Sequence, residues 1–477
     1  MTPARLRAPR AAAFALAAAL ALAFAHSVFR IPVQVSDSLD AIVAAAQAPS
    51  ATHLVLDASQ WSDEKLRPTR FVQARWLLAL ADSTGLSYNA VFRGAHAALV
   101  VLLLFAFVAC LPVETWTGVA AAGLCLTVFT GLHTFTAVTR EAFPVNHFAE
   151  TTSVALATLA IARRRPRWPL EILVLALLGF CLLLIETAVL LWVVIVACAV
   201  VRMPGVRWRT VAAATLVLML YFGARWTLDI TPPAIGAAGS GYGGTFYSGA
   251  ELRERFGANP IPFFAYNIAG GVLSVLFSEP RFGVYQLATP RANGTLPPVV
   301  PINMAASAAV TFALAWHIVG IVRRRRSGLG DEDRIVVVAV VVLGASAVLC
   351  AAYMKDEILA AAGAIYALAA FAPIRGLLEW AAAPGRRPMA VALAAIFVAG
   401  TASLWAFRSV GAHYELRRTA YVTRNDWALM LLPGEHSGWP TDPTELAITR
   451  RLKDEALQRR TASPGFLPRW GERYWVE

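Results

Sequence analysis

Long apolar runs alternate with short polar segments rich in Arg, Pro and Gly from residue 11 to residue 407. A helix that crosses a membrane needs about 20 consecutive apolar residues, or about 17 at the short end. By this measure the pattern predicts an all-α polytopic membrane protein with about eleven transmembrane helices. The predicted spans are residues 11–29, 90–111, 117–135, 148–162, 170–186, 187–201, 210–228, 302–322, 335–354, 358–374 and 389–407.

Arginine clusters mark alternate loops between these spans. They lie within residues 163–167, 202–209, 323–334 and 375–387. Because cytoplasmic loops carry an excess of Lys and Arg, the clusters predict a cytoplasmic N-terminus and an external C-terminus. The apolar stretch 170–201 is too long for one span, and both its ends are Arg-rich. We therefore predict a helical hairpin there, with Glu186 and Thr187 near its outer turn.

The predicted spans divide the chain into a transmembrane domain, residues 1–407, and a short external tail, residues 408–477. The transmembrane domain has two long outer loops, residues 30–89 and 229–301. Residues 262–279 are also apolar, but one more crossing would place the following arginine cluster outside, so we predict a re-entrant or interfacial helix. We interpret the first span as an uncleaved signal anchor rather than a cleaved signal peptide, because its apolar run continues through Phe29.

Composition agrees with a membrane protein. Hydrophobic residues make up 58% of the chain and charged residues 15%, whereas soluble domains average about 25% charged. The formal net charge is +12, but the arginines flank apolar runs, where they meet lipid headgroups, so we expect no nucleic-acid partner. The five cysteines lie inside apolar runs without metal-site spacing and are interpreted as buried hydrophobic residues.

Two acidic residues follow the first predicted span directly. Asp37 and Asp40 lie a few residues beyond Phe29, at the level where a carboxylate reaches a lipid headgroup. The same residues also suit the first turn of a short helix, where acidic side chains cap backbone N–H groups. Both interpretations stay open at this point, because capping one short helix needs only one of the two acids.

Basic residues recur at the same predicted depth. Arg67 and Arg70 precede an amphipathic stretch, residues 71–80, whose apolar positions indicate a helix lying in the membrane interface. Either arginine could contact a substrate phosphate, or both could only meet headgroups. In the second outer loop, Arg140 could hold a phosphate, and Glu141 or His147 could supply a ligand or base. The alternative there is a surface pair between Arg140 and Glu141.

Two further observations limit the chemistry. Lys355 lies in the outer turn between the ninth and tenth predicted spans, where it either joins a site or only forms the turn. The chain carries no phosphate-binding loop, no dinucleotide fingerprint, no serine-hydrolase elbow and no zinc-protease motif. Soluble-type nucleotide, hydride and protease chemistry therefore lacks support.

The order of these features resembles the GT-C superfamily of polytopic glycosyltransferases, which includes protein O-mannosyltransferases and the aminoarabinose transferases of lipid A. The similarity lies in the first span, the loop that opens with Asp37 and Asp40, and the Arg67-Pro68-Thr69-Arg70 start of an interfacial helix. It continues with the Gly85-Leu86 break and the Gly179–Thr187 stretch of the predicted hairpin, and covers roughly residues 10–230.

This resemblance implies an inverting glycosyltransferase with a polyprenyl-phosphate sugar as donor and a glycan, lipid or protein as acceptor. An acidic residue of the first outer loop would be the general base. The matching position here is Asp37, with Asp40 as the alternative, and basic residues would hold the donor phosphate among the membrane lipids. A divalent metal ion is possible, but no cofactor is certain. The acids are three residues apart rather than adjacent, and this departure from the family pattern argues against metal binding. Arg-rich, Lys-poor usage is typical of a bacterial protein, placing the site on the periplasmic face of the inner membrane.

Two other function classes remain open. A polysaccharide polymerase or ligase would use basic residues of the large outer loop, where Arg253, Arg255 and Arg281 lie. A lipid-linked sugar transporter or flippase would show internal repeats and polar residues within its spans. Few such features are visible in the sequence.

Overall fold

The computed structural model describes residues 3–35, 37–56, 66–140, 145–228, 230, 240–242, 245–259, 261–278, 299–324, 328–430 and 442–459. In these ranges the chain is helical apart from one small antiparallel hairpin, β1 (Ser240–Tyr242) with β2 (Thr245–Tyr247). The predicted all-α class is therefore confirmed, since the hairpin is the only sheet that the described residues form.

The helices follow one another closely in the first half of the chain. They are α1 (Pro3–Phe29), α2 (Asp37–Gln47), α3 (Ala51–Leu56), α4 (Pro68–Thr84), α5 (Tyr88–Ala109), α6 (Trp116–Gly131), α7 (His133–Arg140), α8 (His147–Ala162), α9 (Trp168–Leu182), α10 (Val189–Val200) and α11 (Trp208–Thr227). The second half contains α12 (Gly249–Phe256), α13 (Ile261–Phe277), α14 (Val299–Arg323), α15 (Asp331–Leu349), α16 (Ala360–Ala369), α17 (Phe371–Ala382), α18 (Pro388–Leu429) and α19 (Pro443–Gln458).

Fewer helices than predicted meet the length and composition of a membrane span. Within the described ranges, six are long and apolar enough, and α6 with α7 makes a seventh if this pair, bent by 61°, counts as one span. The six are Ala8–Phe29, Tyr88–Ala109, Trp208–Thr227, Ile302–Arg323, Ala360–Ala382 and Pro388–Leu429. Helix α9 has 15 residues, or about 22 Å at 1.5 Å per residue, which is shorter than the roughly 30 Å of a bilayer core. Multi-pass architecture is supported, whereas the count of eleven is not.

The tail and the first long loop share a hydrophobic core, which we call the second core. It is formed by α2, α3, α4, the start of α5, the end of α18 and α19. Trp427 donates its indole N–H to the carbonyl of Val33 at 2.6 Å. Glu455 of α19 accepts the backbone N–H groups of Tyr88 and Asn89 at 3.0 and 2.8 Å. The C-terminal helix thereby caps the free N–H groups at the start of α5.

Contacts at helix ends fix the relative directions of α9, α10 and α11. Arg209, near the start of α11, pairs with Glu171, near the start of α9, at 2.7 Å. Arg225, near the end of α11, pairs at 3.4 Å with Glu186, in the turn between α9 and α10. Helices α9 and α11 are therefore parallel and pack against each other, and α10 runs in the opposite direction. The structure thus breaks the stretch 170–201 near Glu186, as the predicted hairpin requires.

Helix α13 occupies most of the segment predicted to be re-entrant or interfacial. Asn267 in its first half donates to the carbonyl of Ala351, just after α15, at 2.8 Å. Ser278, the residue after it, accepts from Arg408 at 2.6 Å through its carbonyl, and Arg408 also donates to Asn303 near the start of α14. Helix α13 is therefore packed against α14, α15 and α18, and its path relative to a membrane stays a prediction.

The loop before α11 packs closely against the end of α8, at the end of the bundle away from the second core. The backbone N–H of Gly205 donates to the carbonyl of Ala162 at 2.7 Å. A Cβ on Gly205 would overlap the carbonyl oxygen of Ile161 and lie 2.8 Å from that of Arg164. Because both obstacles are backbone atoms, no side-chain rotation can relieve the overlap.

We therefore expect Gly205→Ala to lower the free energy of unfolding by about 1–3 kcal/mol or more, as overpacking does. Thermal unfolding of the purified protein in detergent measures this loss. Gly320→Ala is the matched control, since a Cβ there meets no atom within 4 Å and alanine favours a helix by about 0.5–1 kcal/mol. Equal melting temperatures for the two variants would show that the loop before α11 is not packed as described.

Candidate functional site

Arg67 lies directly before α4 and reaches across to the turn between α9 and α10. Its Nε lies 3.0 and 3.2 Å from the two carboxylate oxygens of Glu186, and its terminal nitrogen lies 2.5 Å from one of them. The backbone N–H of Thr69 donates to the carbonyl of Leu183 at 3.2 Å. Pro68, as the first helical residue, starts α4 here without losing a helical hydrogen bond. The start of α4 is thus fastened to the hairpin turn by a side chain and by backbone.

A second arginine meets the same carboxylate. The Arg225 guanidinium lies 3.4 Å from Glu186 and donates to the Tyr221 hydroxyl at 3.3 Å. Arg225 is 7% exposed and Glu186 29% exposed, so the group is only partly screened by solvent. One carboxylate is therefore shared by two guanidinium groups, which leaves the group with excess positive charge.

Helix α8 adds polar side chains next to these arginines. Arg67 and Arg70 both lie within electrostatic range of the His147 imidazole. Gln73 donates to Glu150 at 2.6 Å, and the other oxygen of Glu150 lies 3.8 Å from His147. We call the whole set the polar cluster: Arg67, Arg70, Gln73, His147, Glu150, Glu186 and Arg225.

Helix α4 contributes Arg70 and Gln73 to this cluster from its first two turns. Its buried residues include Ala74, Leu78 and Ala81, which pack into the second core. Trp76 and Leu80, one turn apart, are 64% and 49% exposed. An apolar stripe with exposed Trp is typical of a helix at a membrane interface. The polar cluster and the second core therefore lie at the same end of the bundle.

Arg140, which the sequence predicts as a candidate phosphate-binding residue, contacts residues other than those of the polar cluster. Its carbonyl accepts a hydrogen bond from Arg93 at 3.5 Å, and its guanidinium is within electrostatic range of Glu415 on α18. Glu141 lies outside the described residues. Of the predicted basic and imidazole groups, the structure thus brings together Arg67, Arg70 and His147, while Arg140 is associated with α5 and α18.

Asp37 and Asp40 both belong to α2. Asp37 is its first residue, although its side chain is outside the described part of the chain. Asp40 is exposed and faces α19, because its carboxylate acts on Glu445. Burial, followed by the carboxylates of Asp442 and Asp40, raises the pKa of Glu445. The start of α2 therefore lies beside the C-terminal helix.

Lys355 lies in the turn between α15 and α16, as the sequence predicts. Its ammonium group lies 4.8 Å from the ring centre of Tyr353. The neighbouring Asp356 lies 3.7 Å from the His133 imidazole. The first contact lies within the turn itself, and the second joins the turn to α7. Neither contact includes a residue of the polar cluster.

Arg93 is a buried cation that was not among the predicted site residues. Its side chain is 0% exposed and donates to the carbonyl of Pro32 at 2.8 and 3.1 Å and to His96 at 3.2 Å. These bonds connect the segment between α1 and α2 to α5. The available signal was an arginine inside the predicted span 90–111, since an ionisable residue within a span is a functional candidate by default.

A metal site was left open by the sequence. Among the residues that the structure describes, no three or more His, Cys, Asp or Glu side chains are grouped to hold a metal ion. The Asp37 side chain and Glu141 are not part of that set. The chemistry available in the polar cluster is therefore anion binding by guanidinium groups and hydrogen bonding by carboxylate, amide and imidazole groups.

Comparison with known proteins identifies no relative of this chain: no family model, no curated protein and no solved structure matches it.

Proposed function

We propose that the chain is an inverting membrane glycosyltransferase that moves a sugar from a polyprenyl-phosphate donor to a glycan, lipid or protein acceptor. The observation that carries this proposal is the convergence of Arg67, Arg70 and Arg225 at one end of a bundle of apolar helices. Guanidinium groups grip a phosphate bidentately, and the shared Glu186 holds two of them in position. A lipid phosphate is the anion that would meet these groups at the end of membrane helices.

The reaction requires two groups from the protein. A carboxylate takes the proton of the acceptor hydroxyl as its oxygen attacks the anomeric carbon, and the bond from that carbon to the phosphate oxygen breaks. The polyprenyl phosphate leaves with the bonding electron pair, and the arginines stabilise the negative charge that develops on it. We assign the first role to Asp37, with Asp40 as the alternative, and the second to Arg67 and Arg70.

The proposed setting is a bacterial inner membrane with the polar cluster on the periplasmic face. Three features support it: the apolar helices, the exposed Trp76 and Leu80 stripe beside the cluster, and arginines such as Arg163 and Arg209 at the other end. Arg163 donates to the carbonyl of Cys110 at the end of α5, so that end is held together by the residues expected to face the cytoplasm. In this setting the N-terminus is cytoplasmic, the C-terminus external, and the remaining apolar helices complete the eleven crossings.

This orientation predicts the outcome of reporter fusions. A phosphatase reporter, active only outside the cytoplasm, is expected to be inactive when fused after Arg165 or Arg207 and active when fused after Gly85. A cytoplasm-active reporter should give the opposite result at all three positions. An external Arg165 together with a cytoplasmic Gly85 would place the polar cluster inside the cell and exclude a periplasmic site.

Mass spectrometry of a deletion strain tests the function. The expected result is accumulation of one polyprenyl-phosphate sugar and loss of that sugar from an envelope glycan, lipid or protein, both reversed by the wild-type gene. Unchanged lipid-linked sugars and unchanged envelope glycans would contradict the proposal. Loss of a whole polymer without donor accumulation would favour a polymerase or ligase, and a donor trapped on the cytoplasmic face would favour a flippase.

A further inference from the structure

Three oxygen atoms in or next to the polar cluster are buried without a hydrogen-bond partner among the described residues. They are the amide oxygen of Gln73, one carboxylate oxygen of Glu150 and the hydroxyl oxygen of Ser153. The Glu150 side chain is 14% exposed and Ser153 is 4% exposed. Buried polar groups in native proteins nearly always have a partner, and each exception calls for an explanation.

The backbone geometry places these atoms on one side of α8. His147, Glu150 and Ser153 follow one another at intervals of three residues within α8, so their side chains are neighbours on its surface. Gln73 comes from α4 and donates its amide N–H to the other oxygen of Glu150 at 2.6 Å. That bond uses one of the two amide N–H groups of Gln73, and the amide oxygen of Gln73 accepts no hydrogen bond from the described residues.

The chemistry of the unpartnered atoms specifies what could bind them. The amide oxygen of Gln73 and a carboxylate oxygen accept hydrogen bonds and do not donate, so their partner must carry O–H or N–H groups. A phosphate would be repelled by an ionised Glu150 and attracted to Arg67 and Arg70, which act on the neighbouring His147. The two neighbouring surfaces therefore suit the two parts of one ligand, an anionic group and a hydroxyl-rich group.

We infer that Gln73, Glu150 and Ser153 form a subsite for the hydroxyl groups of the sugar on a lipid-phosphate donor, next to the arginines that hold its phosphate. This inference rests on the proposed function, because it assigns the sugar half of the donor to a place beside the phosphate half. In its ionised form, Glu150 contributes the charged acceptor, which forms the strongest of the new hydrogen bonds.

Binding measurements on the full-length protein in lipid nanodiscs test the inference. The probes are polyprenyl phosphate without a sugar and polyprenyl phosphate carrying glucose, mannose or galactose. We expect the wild-type protein to bind at least one glycosylated probe about tenfold more tightly than the bare phosphate, since a charge-assisted hydrogen bond is worth that factor or more.

Two variants remove the proposed contacts without changing the arginines. Glu150→Gln replaces one carboxylate oxygen by an amide donor, and Ser153→Ala removes the hydroxyl. Both are expected to reduce the preference for the glycosylated probe to about twofold or less. Binding of bare polyprenyl phosphate should stay within about twofold of wild type in Ser153→Ala, and it should not weaken in Glu150→Gln, which removes a negative charge near the arginines. Glu114→Gln is the matched control, because Glu114 is exposed in the loop between α5 and α6 and should keep the full preference.

The outcomes separate this inference from the proposed function. Binding of neither lipid by the wild-type protein would overturn both. Equal binding of bare and glycosylated probes by the wild-type protein, or an unchanged preference in folded Glu150→Gln and Ser153→Ala, would overturn the sugar subsite alone. In that case the unpartnered oxygens hold buried water, which often satisfies such groups. Thermal unfolding of each variant in nanodiscs checks that it is folded.

Discussion

Replacing Arg67 by methionine is expected to lower sugar transfer by about 100-fold, because the substitution removes a charged group from the proposed phosphate site. Methionine keeps most of the length and apolar surface of the arginine stem, so packing at the start of α4 is largely preserved. A 100-fold loss corresponds to about 2.7 kcal/mol of transition-state stabilisation, the size expected for charge-assisted hydrogen bonds to a leaving phosphate. Transfer of labelled sugar by the purified protein measures the effect.

The chain contains a closely similar ion pair that serves as control. Arg209 donates to the two oxygens of Glu171 at 2.9 and 2.7 Å, at the end of the bundle away from the polar cluster. Arg209→Met should therefore leave transfer within about twofold of wild type. The exchanged pair, Arg67→Glu with Glu186→Arg, tests a purely structural role. Recovery of full transfer by that double variant would show that Arg67 only fastens α4 to the hairpin turn.

Asp37→Asn is expected to lower transfer by about 100-fold or more while expression stays normal. Asparagine preserves the volume and hydrogen bonding of the side chain but cannot take the acceptor proton, and general base catalysis contributes about 10²–10⁴ in rate. Asp40→Asn is the natural comparison, because Asp40 lies three residues along the same helix and is exposed opposite α19. It should retain at least about half of the wild-type transfer.

The pH profile of transfer distinguishes a base from a binding residue. If Asp37 is the base, transfer by the Asp37→Asn variant should lose the acidic limb of the wild-type profile. Normal transfer by Asp37→Asn together with an inactive Asp40→Asn would move the role to Asp40. Full activity of both variants would exclude a base in α2 and favour a polymerase or ligase that relies on the second outer loop.

The site was only partly predictable from the sequence. Arg67, Arg70 and His147 were singled out because polar residues near the ends of apolar runs lie at the depth of a lipid headgroup, and the structure brings these three together. Glu186 was predicted near an outer turn. Its contact with Arg67 was not predicted, because the two residues are 119 positions apart in the chain. Gln73, Glu150 and Arg225 were not predicted as site residues, because each belongs to the site only through a contact with a residue outside its own helix.

The second core shows the same limit. Residues 408–477 were predicted to be a separate tail because the apolar pattern ends at residue 407. Helix α18 instead continues to Leu429, and α19 returns to cover the start of α5 and the face of α2. No local sequence pattern predicts this arrangement, because the apolar residues of α19 could have covered any exposed apolar surface of similar size.

The sequence by itself determined the helical, membrane-type architecture, the break of the long stretch 170–201 and the ends of the helices where charged residues gather. These properties depend on local hydrophobicity and charge, which act over the length of one helix. Only the tertiary structure decided which charges meet, how many helices are long enough to span, and that the first long loop shares a core with α19 and the end of α18. Those outcomes depend on how helices that are distant in the chain pack against one another. The packing determines, for example, which of the several arginines contact Glu186.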